Sequence, residues 1–470
     1  MKKKKTTPAE SEQAQPQSEA VVDGVHSYGR DEDYVMPTDP AVLEKLEWFR
    51  DQKIGLFMHW GLYSQMGMVE SWGLSDEDRE WSYGHWDWDD PKECQRQYKK
   101  LNRSFNPIRL QPEKWAQDAK ACGFRYVILT TKHHDGFCLW DTNQTDYKVT
   151  DPSCPFSEHK NADIIKHVFS ACRKEGLGIV AYFSKADWHT PHYWAPDRNI
   201  GGETSRHANY DPKAEPDRWK KFVDFTQAQM MELVTGYGPL DVMWLDAGWV
   251  CPQAGEDIRL GEVVEKARRH TPGMLFADRT VGGPYENILT PEHAVPEKPM
   301  KSPWESCLVL DDNGWGHSFD HKYKTARQIT HTFIDIVAKG GNLALGVGPQ
   351  PDGRLAPEAI RILSQMGAWL EANGDAIYGT RICAPYKEGN WHFTSKGETR
   401  FAILTHQEGE MADGELGLPL TAGEKPFKTI TRVSDGAAVP FRKTKAGFVL
   451  NVPKEAGLTE TPFATAFRLA

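Results

Sequence analysis

The eight cysteines contain no Cys-x-x-Cys pair, which argues against a zinc ribbon or a thioredoxin-type redox motif. Several fall in or beside apolar segments, so buried free thiols are expected rather than a disulfide framework. Gly-x-Gly-x-x-Gly is missing, so no dinucleotide crevice is marked. Gly-x-Ser-x-Gly is missing, which removes the shaped turn of a nucleophilic serine. His-x-His and His-Glu-x-x-His are missing too, and with them the usual ligand sets of a metallohydrolase. The adjacent His133 and His134 are expected to point apart on extended backbone, so no metal site is expected. No apolar run approaches the length of a membrane span. Excess positive charge is also absent: the net charge of −10 argues against nucleic acid as the main partner. Lys2 to Lys5 resemble the start of a signal peptide, but a polar stretch follows instead of an apolar one. The expectation is a cytoplasmic protein, or an exported one whose signal has been removed.

At 470 residues the chain exceeds what one core usually holds, so two domains are expected. Residues 1–35, rich in Ser, Gln, Glu and Pro early on, read as a disordered arm. From 36 to 377, helical patterns alternate with short apolar runs. Strands are expected at about 54–60, 126–130, 177–183, 240–245, 274–277, 299–304 and 342–347. Helices are expected between them, one capped by Asn161. Such alternation is α/β grammar, and a (β/α)8-like TIM barrel fits it best. From about 378 the pattern turns to short strands, with a hairpin around Lys396-Gly397. Residues 378–470 therefore read as a C-terminal β-sandwich.

The stretch Leu240 to Trp249 organises the barrel. Its apolar first half reads as a buried strand, and Asp246 stands at its end between Trp244 and Trp249. A carboxylate there is expensive unless used or paired. Barrel chemistry sits at the carboxyl ends of strands, where His59, His133, His134, Trp188, Asp246, Arg279 and Glu305 are expected. Asp246 and Glu305 could form the carboxylate pair of a retaining glycosidase. Plainer readings exist: Tyr182 and Trp244 as core aromatics, Glu70 as a loop carboxylate, His59 as a strand-end histidine.

Five motifs occur in order along this region. They are Phe57-Met58-His59-Trp60-Gly61; Leu129-Thr130-Thr131-Lys132-His133-His134-Asp135-Gly136-Phe137-Cys138-Leu139-Trp140; Trp244-Leu245-Asp246; Trp304-Glu305-Ser306-Cys307; and Lys339-Gly340-Gly341-Asn342-Leu343 with Val347-Gly348-Pro349. The chain thereby resembles glycoside hydrolase family 29, the α-L-fucosidases, and a bacterial source is expected. The resemblance implies a retaining α-L-fucosidase acting on fucosylated glycans, with Asp246 as nucleophile and Glu305 as acid/base. It places His59, His133 and His134 on the fucose hydroxyls, and Tyr182, Trp244 and Arg279 around the nucleophile. Glu70 and Trp72 would come from a loop reaching the sugar. Proximity to Asp246 and partial burial would raise the Glu305 pKa. No cofactor is implied, and a homo-oligomer is allowed. Two alternatives stand beside this reading: a fucose-binding protein without activity, and a retaining glycosidase of another sugar specificity.

Overall fold

The computed structural model describes residues 29–82, 90–198, 204–410, 413–419, 427–455 and 462–470. Seven strands form one parallel sheet: β1 (Ile54–Met58), β2 (Tyr126–Lys132), β3 (Gly178–Ser184), β4 (Val242–Asp246), β5 (Leu275–Asp278), β6 (Glu305–Val309) and β7 (Asn342–Gly346). Their order is β5-β4-β3-β2-β1-β7-β6. Around them run α1 (Pro40–Gln52), α2 (Arg79–Ser82), α3 (Pro91–Tyr98), α4 (Pro112–Ala121), α5 (Ile164–Lys174), α6 (Pro216–Gly236), α7 (Leu260–His270), α8 (Ala326–Ala338) and α9 (Pro357–Asn373). No helix among the described residues is long and apolar enough to cross a membrane.

Strand residues alternate between two cores, as a period of two requires. Tyr126, Ile128, Val180, Tyr182, Val242, Trp244, Leu275, Ala277, Cys307 and Val309 share one cluster inside the curved sheet. Their neighbours Val127, Leu129, Ile179, Ala181, Met243 and Leu245 belong to the cluster beneath the helices. Both faces are therefore buried, which is why the strands read as continuous apolar runs. Gly55 is required by close approach: a Cβ there would lie 2.1 Å from the Tyr126 ring.

Between β5 and β6 the chain is irregular but still bonded to both. Asn287 N–H donates to Phe276 O (2.8 Å), and Leu289 N–H to Pro303 O (2.9 Å). Glu305 N–H donates to Leu289 O (2.9 Å), and Cys307 N–H to Pro291 O (2.8 Å). Ile288 joins the interior cluster. Residues 285–293 thus continue the backbone bonding from β5 to β6.

Two expectations are corrected here. The sixth strand does not end at Glu305; it begins there. Helix α5 is capped by Asp163, whose carboxylate accepts from Lys166 N–H, and not by Asn161. Residues 1–28 of the expected arm lie outside the described residues, whereas Asp31 and Tyr34 are hydrogen-bonded to the folded chain.

After α9 the strands are antiparallel: β8 (Arg381–Glu388), β9 (Trp391–Lys396), β10 (Thr399–Thr405), β11 (Gly414–Pro419), β12 (Ile430–Arg432), β13 (Phe441–Lys443), β14 (Gly447–Val452) and β15 (Ala464–Leu469). They make a five-stranded sheet, β12-β15-β10-β9-β8, and a three-stranded one, β11-β14-β13. Trp391, Phe393 and Phe467 from the first share a core with Leu418, Phe448 and Leu450 from the second.

Candidate active site

A cavity of about 460 Å³ opens at the carboxyl ends of the parallel strands. His59, Glu70, Trp72, His133, Tyr182, Trp244, Asp246 and Arg279, all expected from the sequence, line it. The structure adds Arg206, Trp249, Glu292, His293, Cys307 and Trp315. Trp81 also lines it with half its surface exposed, its indole N–H directed to Asp78. Trp86 and Trp88, indoles of the same stretch, lie outside the described residues.

Asp246 closes β4 and is surrounded by donors. Tyr182 Oη donates to its Oδ2 (2.5 Å), and Arg279 Nη1 to its Oδ1 (3.1 Å). Burial alone would push this carboxyl up. Arg279 above all, with the Tyr182 hydroxyl, outweighs burial and holds it well below the usual carboxylate range. The same guanidinium turns its Nη2 to Glu292 in a direct ion pair. Burial opposes the Arg279 charge, but Glu292 and Asp246 overcome it and raise its pKa.

The histidines act as neutral imidazoles at pH 7. Burial lowers His59 and His134 well below the usual value and His133 to about 4. The tautomer of His134 follows from its neighbour. Ser184 Oγ donates its one proton to Ala186 O (2.8 Å), so at 2.6 Å it accepts from His134 Nδ1. That leaves His134 Nε2 as a bare acceptor, 3.7 Å from Asp246 Oδ2. His133 Nδ1 bonds Ser71 Oγ (2.5 Å), and His59 Nδ1 is buried with no hydrogen-bond partner among the described residues. Bare acceptors and spare donors around an ionised carboxylate suit a ligand dense in hydroxyl groups.

The expected divergence of His133 and His134 is corrected. Strand β2 stops at Lys132, so both rings follow the turn beyond it, with centroids 4.2 Å apart. One ligand atom each from His133, His134 and Asp246 lies within 4.8 Å of the others, a set that could hold a metal ion. Arg279 on the other Asp246 oxygen opposes a second cation there.

Glu305 is not brought to the cavity. It opens β6, two residues before Cys307, and so lies one inward layer, about 7 Å, below it. Tyr126 Oη (2.6 Å) and Trp244 Nε1 (3.1 Å) occupy its two oxygens. Its pKa is raised to about 7, but by burial, with Tyr126 and Trp244 pulling the other way. Asp246 has no part in that shift. Glu305 is a core carboxyl that fixes the underside of the Trp244 indole.

Backbone strain marks the same site. Among the described residues six non-glycines have positive φ: Lys53, Glu70, Ala247, Arg259, Thr280 and His293. Ala247, Thr280 and His293 directly follow Asp246, Arg279 and Glu292. Such conformations persist only where the surroundings over-determine them, and they cluster at functional sites.

Glu70 is buried, with Oε1 accepting from Gly316 N–H (2.8 Å). Burial pushes its carboxyl up to about 8; the Gly316 N–H opposes this, and Glu292 and Asp246 add to it. The folded chain therefore keeps a proton that the unfolded chain releases near the usual 4.5. Glu70 makes stability fall as pH rises through this window. Melting temperatures of Glu70→Gln and the parent at pH 4.5, 6 and 8 are expected to diverge in favour of the variant. A gap that stays constant or narrows with pH contradicts the assignment.

Residues 25–375 match the protein family described as alpha-L-fucosidase. The chain belongs to the α-L-fucosidase family. Among curated α-L-fucosidases it is 28% identical to the human tissue enzyme over 392 residues, 76% of this chain and 75% of that one. Among solved structures it is similar to α-L-fucosidase isoenzyme 1 from Paenibacillus thiaminolyticus, at 30% identity and a TM-score of 0.74. That alignment covers 92% of this chain and 99% of the other. It is also similar to the Thermotoga maritima α-fucosidase in complex with fucose, at 26% identity and a TM-score of 0.72, covering 90% and 96%. The α-L-fucosidase relatives named here thus come from both animals and bacteria.

Proposed function

We propose that the chain is a retaining α-L-fucosidase that releases terminal α-L-fucose from fucosylated oligosaccharides and glycoconjugates through a covalent glycosyl-enzyme intermediate. Asp246 is the nucleophile and Glu292 the acid/base. One observation carries this: Arg279 holds Asp246 on Nη1 and Glu292 on Nη2. Carboxylates gripped by neighbouring nitrogens of one guanidinium fit the separation of about 5 Å used for retention better than the roughly 6.5–9.5 Å of inversion. Glu305 has neither the position nor a free oxygen for the role. We read the scaffold as a (β/α)8-like TIM barrel to about 377, with 285–293 in the eighth strand position, followed by a β-sandwich from 378. The bonding of 285–293 to both β5 and β6 supports that reading.

In the first step an Asp246 oxygen attacks the anomeric carbon, and Glu292, having taken up a proton from solvent, gives it to the glycosidic oxygen as that bond breaks. In the second, Glu292 takes a proton from water, whose oxygen attacks the same carbon and frees Asp246 and fucose. His59, His133 and His134 bind the hydroxyls. Phe57 and Trp244 offer an apolar wall for the sugar's methyl group. Trp81, at the mouth, can stack on the departing portion. No step needs a metal or other cofactor.

A second reading moves the acid to Glu70, because its carboxyl, pushed up to about 8, carries a proton at neutral pH. The Glu292 and Glu70 variants separate the two readings. The stereochemical claim is tested by proton NMR of an aryl α-L-fucoside during early turnover. The α anomer of fucose is expected first, with β appearing only by mutarotation. Initial β-fucose means inversion and removes the covalent intermediate.

A further inference from the structure

We propose that residues 29–34 form a clamp that positions Glu292, with Asp31 and Tyr34 as positioning residues outside the cavity. The proposal rests on Glu292 being the acid/base. Glu292 belongs to the irregular run between β5 and β6, which lacks a regular ladder on its β5 side. The outgoing leg contains Asn287 and Leu289, and the returning leg contains Lys301 to Pro303. Both legs are held from outside by the same short piece of chain.

Asp31 Oδ1 accepts from Ser302 N–H (2.7 Å), Ser302 Oγ (2.6 Å) and Lys301 N–H (2.9 Å), and Oδ2 accepts from Lys301 N–H (3.0 Å). One carboxylate thus binds two consecutive backbone amides and a hydroxyl through charge-assisted bonds, which are short and strong. Three residues on, Tyr34 Oη donates to Asn287 O (2.9 Å) on the other leg. Gly29 lies so close that a Cβ there would be 2.7 Å from Leu289 Cδ2 and 3.2 Å from Glu286 Oε2. The legs join through Leu289 N–H to Pro303 O and Glu305 N–H to Leu289 O. Four bonds to Asp31 and one to Tyr34 therefore fix the frame from which Glu292 reaches Arg279. Neither clamp residue lines the cavity. Loss of the clamp should move the acid and leave Asp246, on the parallel ladder of β4, in place.

This division gives a readout that general loosening does not share. Fluoride leaves α-L-fucosyl fluoride without protonation, whereas the phenoxide of phenyl α-L-fucoside needs the acid. Displacement of a catalytic group by about 1 Å costs on the order of 100-fold. The full chain carrying Asp31→Ala with Tyr34→Phe is expected to lose about 10- to 100-fold in kcat/KM on the phenyl fucoside, and less than about twofold on the fluoride. Asp31→Asn, which keeps an accepting oxygen, should fall between variant and parent. Assays run well below each variant's melting temperature, and Tyr34→Phe alone serves if the double variant does not fold. Equal losses on both substrates, or none on either, overturn the clamp. Glu292→Ala is run alongside. If it shows no leaving-group dependence, the acid assignment falls and the clamp with it; if it does while the clamp variants lose both substrates equally, only the clamp falls.

Discussion

Asp246→Gly is expected to lower turnover of an aryl α-L-fucoside by roughly 10⁴-fold, about 5 kcal/mol of transition-state stabilisation. The cause is loss of the attacking oxygen, which no neighbour can replace. Tyr182 donates to Asp246, and Arg279 is a cation already committed to it. Glycine leaves a space beside the anomeric carbon, ringed by that guanidinium and three neutral imidazoles. Azide suits such a space. Added azide should restore part of the rate and yield the β-fucosyl azide, since the small anion attacks from the face the carboxylate used. Activity within tenfold of the parent, or an α-azide product, rules out Asp246 as nucleophile. The fold should survive, because the strand keeps both parallel ladders and glycine adds no bulk.

Glu292→Ala is expected to behave differently in each step. General acid catalysis contributes about 10²- to 10⁴-fold, and that is the expected loss on poor leaving groups. An activated nitrophenyl fucoside needs little protonation, so its first step should survive and its glycosyl-enzyme should accumulate. Azide then attacks that intermediate without a general base and gives the α-fucosyl azide, the product of two inversions. Glu70→Ala is the control. If the Glu70 variant forms α-azide and the Glu292 variant does not, the acid is Glu70 and the second reading stands. The measurement is product NMR with azide, supported by rates across leaving groups of graded acidity.

Much of the site was legible because strand ends collect chemistry, and the apolar runs of β1 to β5 and β7 are sharp. Asp246, His59, Tyr182 and Arg279 each sit on or just beyond such a run, which carries them to one cavity. The two failures have local causes. In Pro299 to Val309, an apolar Pro-Trp pair precedes Glu305 and a weakly apolar Ser-Cys-Leu-Val follows it. That pattern puts the strand before Glu305, whereas β6 begins at Glu305 and makes it a core carboxyl rather than a rim one. Glu292 gave no signal because Thr290-Pro291-Glu292-His293 has neither helical nor strand periodicity. Its position depends on backbone bonds linking Leu289, Pro291 and His293 to Pro303, Glu305 and Cys307, which are pairings across the chain that no local pattern encodes. The histidine pair departs from its expected divergence for a separate reason. Extended backbone separates adjacent side chains, but β2 has already stopped when His133 is reached.

The irregular course of 285–293 makes the two halves of the proposed carboxylate pair mechanically unequal. Asp246 ends a strand laddered on both sides, and its amides should exchange with solvent only on opening of the whole sheet. Glu292 rides on backbone with few ladder bonds, whose amides should exchange through smaller, cheaper openings. Warming should therefore blur the proton donor before it disturbs the attacking oxygen. Activity on demanding glycosides would fade while simple fluorides still react, below the temperature at which the sheet itself melts. The same inequality lets insertions between β5 and β6 re-aim the acid toward differently shaped leaving groups without repacking the interior around Trp244.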